Sequence, residues 1–88
     1  MEELMKAKER YEELISRMEN DLDQAEQFKA DDLKRYNPNA PHELMIGLQS
    51  QVLRVQDYIT QKFNNLVEIL RGYDELLKAI DEEKAKAE

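Results

Sequence analysis

The 88-residue chain has no cysteine and no tryptophan, one histidine, two glycines and two prolines. Without cysteine there is no disulfide framework, and a single histidine does not make the usual structural zinc site. No apolar run approaches the roughly 20 residues needed to span a bilayer. Nor does a basic segment lead into an apolar one, so a cleavable secretory signal is not expected. The two glycines, Gly47 and Gly72, lie too far apart to form a phosphate-binding loop. Basic residues are outnumbered 13 to 20 by acidic ones, giving a net charge of -7. That balance repels phosphate backbones and anionic lipid, which disfavours nucleic acid or a membrane surface as a partner.

Helix formers make up most of what is there: Glu, Lys, Leu, Ala, Met, Gln and Arg. Both prolines fall within Asn37-Pro38-Asn39-Ala40-Pro41, which breaks the helical ladder at one place. This divides the chain into a first amphipathic helix over 1–36, a proline-containing hinge over 37–41, a second amphipathic helix over 42–83 and a charged tail over 84–88. A short connection usually joins antiparallel neighbours. The expected fold is therefore all-α: an antiparallel helical hairpin of two long helices, coiled-coil-like and oligomeric.

Apolar spacing identifies the faces that should meet. In the first helix Leu4, Ala7, Tyr11, Leu14 and Met18 step by three and four. Ile15, Met18, Leu22 and Ala25 continue the stripe towards Phe28 and Leu33. The second helix is richer. Met45, Leu48, Val52, Val55, Ile59, Leu66, Ile69, Tyr73, Leu76 and Ile80 keep a heptad register, interrupted only by Lys62. Beside this seam lie Leu44, Ile46, Leu53, Tyr58, Phe63, Val67, Leu70, Leu77 and Ala79, which a two-stranded seam would leave exposed.

A helix that is apolar over much of its circumference is buried on more than one side. A hairpin of this size also buries little core of its own. The second helix is thus expected to self-associate or to dock onto a helical partner. The interaction face expected there comprises Leu44, Leu48, Val52, Val55, Ile59, Phe63, Leu66, Ile69, Leu70, Tyr73, Leu76, Leu77 and Ile80. Asn37, Pro38 and Pro41 form the hinge.

No catalytic constellation is evident, and neither an enzyme nor a cofactor, metal or small-molecule substrate is expected. His42 stands alone at the start of the second helix. Asp21, Asp23 and Glu26 lack the turn glycine of a calcium loop, because Gln24 and Ala25 continue a helix. Lys62 could set register or oligomer state, or carry its charge out to solvent. For the interior glycines, close approach of another helix or a point of bending competes with a switch between helical and extended backbone during assembly.

Asn37-Pro38-Asn39-Ala40-Pro41, followed by Glu43-Leu44 and then Leu48-Gln49-Ser50, resembles the loop and second helix of type III secretion needle subunits. The resemblance runs from about Asn37 to Ile80, and the related inner-rod subunits share the second-helix pattern more loosely. It implies a helical-hairpin protomer, cytoplasmic as synthesised and exported without a cleavable signal. Such protomers polymerise into a hollow filament, with the second helix making most lateral contacts. The alternative from the residues alone is a small acidic binding module or chaperone that shields a partner helix.

Overall fold

In the computed structural model, which describes residues 1–87, the chain is two helices packed side by side: α1 (Glu2–Lys34) and α2 (His42–Ala87). It is an elongated antiparallel hairpin measuring 70 × 15 × 14 Å. At 1.5 Å per residue, the 46 residues of α2 account for that whole length, whereas the 33 of α1 reach only about 50 Å. Among the described residues, no helix is long and apolar enough to cross a membrane.

The hinge is built by hydrogen bonds that its sequence supplies. At the end of α1 the amides of Arg35 and Tyr36 donate to the carbonyls of Asp32 and Leu33, tightening the last turn. Asn37 then starts a turn in which its carbonyl accepts from the Ala40 amide at 3.0 Å, with Pro38 preset for the second position. The Asn37 side chain reinforces it, Oδ1 accepting from the Asn39 amide at 3.0 Å. Pro41 flanks α2, its carbonyl accepting from the amides of Leu44 and Met45.

Two contacts fix the register: Tyr11 lies against Gly72 and Tyr73, and Lys29 reaches Gln56. The end of α1 therefore lies level with about Ser50, and the first two turns of α2 run on beyond it with only the hinge for cover. In α2 the heptad seam is occupied as its spacing predicts. Ile59, Leu66 and Ile80 are buried, and Met45, Leu48, Val52, Val55, Ile69, Tyr73 and Leu76 are half-buried.

The α1 seam differs from expectation in its second half. It passes through Leu4, Lys8, Tyr11, Ile15, Met18, Leu22 and Ala25, and then through Lys29 and Asp32. Phe28, at 66% exposure, and Leu33 lie on opposite sides of it, and Leu14 is also exposed. The three-four alternation that carries Met18, Leu22 and Ala25 leads on to positions 29 and 32. Only the charged identities of those residues hid it. The far end of α2 also differs. Helix continues four residues past the expected end at Glu83, through Lys84, Ala85, Lys86 and Ala87. Lys, Ala and Glu are strong helix formers, Lys84 and Lys86 suit the negative end of the helix dipole, and Lys86 lies 3.8 Å from Glu83. The last residue of the expected tail, Glu88, lies outside the described residues.

Candidate functional site

The site is a surface, and its geometry follows from what the seam leaves over. Along α2, Ile46, Leu53, Phe63, Val67, Leu70 and Leu77 step by seven or by three and four, except for ten residues from Leu53 to Phe63 across the polar row positions Gln56 and Thr60, which places them in one row along the helix. That row lies about 100° around the helix from the seam. Val67 and Leu77 are half-buried, whereas Ile46, Leu53, Phe63 and Leu70 are exposed, Leu53 at 59% and Phe63 at 56%. At roughly 25 cal/mol per Å² of apolar area, side chains of this size left in water forgo several kcal/mol together.

The hinge end of this row deepens into a groove of about 530 Å³, lined by Leu33, Tyr36, His42, Met45, Ile46, Leu48, Gln49, Val52 and Leu53. It exists because α2 outruns α1: beyond Lys34 no helix among the described residues covers this stretch of α2. Leu33 continues the seven-residue row Glu12, Glu19, Glu26 of α1. That spacing sets an acidic stripe beside the apolar row of α2. On the opposite side of the hairpin a second depression of about 350 Å³ brings Phe28 and Asp32 near Gln51, Arg54, Val55 and Tyr58. Leu44 is exposed on that side too.

The thirteen residues expected to form one interaction face thus fall into two groups. Val52, Val55, Ile59, Leu66, Ile69, Tyr73, Leu76 and Ile80 pack towards α1 inside the hairpin, and Leu48 continues that side of α2 beneath the hinge, where it lines the groove. Leu44, Phe63 and Leu70 are exposed, and Leu77 lies half-buried at the edge. Ile46, Leu53 and Val67, which flanked the seam in the sequence, complete the row with Phe63, Leu70 and Leu77. The signal that could have separated the groups is the second row itself, offset by one or four residues from the seam.

Polar groups at the seam are few and paired. Lys29 Nζ donates to Gln56 Oε1 at 2.6 Å, bridging the helices, and Gln56 Nε2 donates to the Thr60 hydroxyl at 3.3 Å. Asp32 is 5% exposed, with Arg35 Nη1 3.7 Å from its carboxylate. Lys62 is half-buried and its ammonium lies 5.5 Å from the centroid of the Tyr58 ring, so its stem packs while its charge rests on an aromatic face. The remaining ion pairs, such as Lys6–Glu2 and Arg17–Glu13, are exposed pairs one turn apart on a single helix and add little. Asp21, Asp23 and Glu26 are exposed on α1, and His42 is exposed at the first residue of α2. No group of three potential ligands among the described residues is placed to hold a metal.

Comparison with protein-family models, with curated proteins and with solved structures gives no significant match.

Proposed function

We propose that the chain is a non-enzymatic structural subunit that self-associates through the second apolar row of α2. One observation carries this reading: Ile46, Leu53, Phe63 and Leu70 stay exposed after α1 has covered the heptad seam. Exposed apolar side chains scattered singly need no explanation, but a row spanning most of a 46-residue helix marks an interaction surface. The needle-like or inner-rod-like form of this role draws on the Asn37-Pro38-Asn39-Ala40-Pro41 hinge and the helix that follows it.

Sedimentation velocity over a concentration series tests the proposal. Association that rises with concentration and disappears in Phe63→Asp or Leu70→Asp, with helicity retained, supports it. A monomer at high micromolar concentration overturns it. Electron microscopy of the associated species then tests the needle-like form, which requires open-ended filaments.

A second reading has its own observation. The hinge-end groove is apolar, uncovered and long enough to receive two turns of a foreign helix, as a binding module or chaperone would need. It predicts a defined complex with another protein and no association of the chain alone.

A further inference from the structure

We infer that the partner for the apolar row of α2 is the same row of a second copy, antiparallel to it, about a two-fold axis passing between Gln61 and Lys62. This rests on the self-association proposed above and gives it a geometry. The outer parts of the row read alike from either end about that point. Ile46 and Leu77 lie equally far from it, as do Leu53 and Leu70, and so do Thr60 and Phe63. An antiparallel second copy therefore sets Ile46 on Leu77, Leu53 on Leu70 and Phe63 over Thr60, each pair occurring twice. One polar interruption matches under the same operation: Gln49 meets Asp74, an amide donor against a carboxylate acceptor, while Gln56, held to Lys29 and Thr60 within its own hairpin, falls opposite Val67.

Charge chooses the direction. The position bordering this row on its outer side recurs every seven residues as Glu43, Ser50, Asp57, Asn64, Arg71 and Lys78, all exposed. Acids occupy its first half and bases its second. A parallel two-fold pairing would put this position on opposite sides of the contact, leaving its charges with no counterpart of the same row across it. The antiparallel pairing keeps this position of both copies on one side of the contact: Glu43 stands about two residues along the axis from Lys78, and Asp57 comes towards Arg71 because side chains on both helices lean towards their own N-termini.

Extent and shape also fit. From Ile46 to Leu77 the row is about 46 Å long, and a helix-wide strip of that length amounts to about 1,000 Å² over both copies, the lower end for a specific interface. Because the row lies about 100° around α2 from the seam, α1 need not move. A two-fold contact is isologous and closes on itself. Open-ended growth would therefore have to use another face.

The absence of cysteine makes the test direct. Asn64→Cys, Ser50→Cys and Lys78→Cys are made singly in the full chain and treated with a short bis-maleimide alongside sedimentation. In the antiparallel pair Asn64 stands beside Asn64 of the second copy, and Ser50 beside Lys78. Each Ser50 is about 35 Å from its own counterpart. Asn64→Cys should cross-link to twice its mass and neither other variant alone should. An equimolar mixture of the Ser50→Cys and Lys78→Cys proteins should cross-link. A dimer in which Ser50→Cys cross-links to itself would overturn the antiparallel axis while leaving self-association standing. A monomer by sedimentation with no cross-link in any variant overturns both.

Discussion

Tyr11 lies across the backbone of Gly72: a Cβ built on that glycine would stand 2.8 Å from the phenol oxygen and 3.3 Å from the ring carbon bearing it. The same ring is 6.1 Å from Tyr73, centroid to centroid, tilted by 47°. Glycine in a helix interior costs about 1 kcal/mol relative to alanine. Gly72→Ala would recover that and displace a half-exposed ring whose contact with Tyr73 is worth about 0.5–1.5 kcal/mol. The two effects should cancel, leaving the thermal stability of Gly72→Ala close to that of the parent. In a Tyr11→Ala background the same change should stabilise by about 1 kcal/mol. Equal gains in both backgrounds would show that the ring does not restrict this position.

Gly47 is the control. Among the described residues, nothing lies within 4 Å of a Cβ placed there. Gly47→Ala should stabilise the hairpin by about 1 kcal/mol through backbone propensity alone, read as a higher denaturation midpoint with an unchanged slope.

Leu66 and Phe63 sit one turn apart on α2, and only the first should matter to the folding of the single chain. Leu66 is 7% exposed against α1, whereas Phe63 faces outwards. Leu66→Ala should cost about 2–3 kcal/mol, the lower part of the range for core truncations, because this narrow seam can partly collapse. Phe63→Ala should leave the unfolding midpoint at low protein concentration nearly unchanged and lower only the concentration-dependent part. Equal losses at the two positions at low concentration would place Phe63 inside the hairpin.

These contrasts show how much the sequence disclosed. The hairpin, its hinge and the α2 seam were legible because proline chemistry and heptad spacing are local and unambiguous. The second half of the α1 seam was not. Apolar identity pointed to Phe28 and Leu33, while packing geometry required Lys29 and Asp32, and geometry prevailed because Ile15, Met18, Leu22 and Ala25 had already set the phase. The division of α2 residues between seam and outer row depends on where α1 lies, which α2 alone does not reveal. Gly47 and Gly72 look alike in sequence, and only the position of Tyr11 separates them.

Asp32 carries a carboxylate at a seam position in the last turn of α1, where the negative end of the helix dipole also opposes it. Its Arg35 partner is 3.7 Å away and largely exposed. Asp32→Leu would replace a buried acid with a side chain suited to the seam and remove the dipole penalty. It should stabilise the hairpin by about 1 kcal/mol, since apolar replacement of buried ionic groups is often favourable. Asp32→Asn, which removes charge and leaves the site polar, should gain less. Destabilisation by Asp32→Leu in thermal melts would show that the carboxylate contributes more than its single ion pair indicates.

Ionic strength gives a test that the seam does not influence. With interaxial distances of about 9 Å and α1 set about 100° around α2 from the second copy, the two α1 helices of the proposed dimer stand on one side, roughly 13 Å apart. Their facing stripes carry Glu12, Glu19 and Glu26. At about 0.15 M salt the Debye length is about 8 Å, so repulsion between the stripes is largely screened; at about 0.01 M it is about 30 Å and the repulsion acts in full. The attractive Asp57–Arg71 pairs across the two-fold are few and exposed, so their loss with salt is the smaller effect. The dimer should therefore tighten as salt rises from about 0.01 to 0.15 M, and neutralising the stripe with Glu19→Gln and Glu26→Gln should flatten that dependence. Sedimentation at the two ionic strengths reads both, and weakening with added salt would mean that the acidic stripes of the two copies do not face each other.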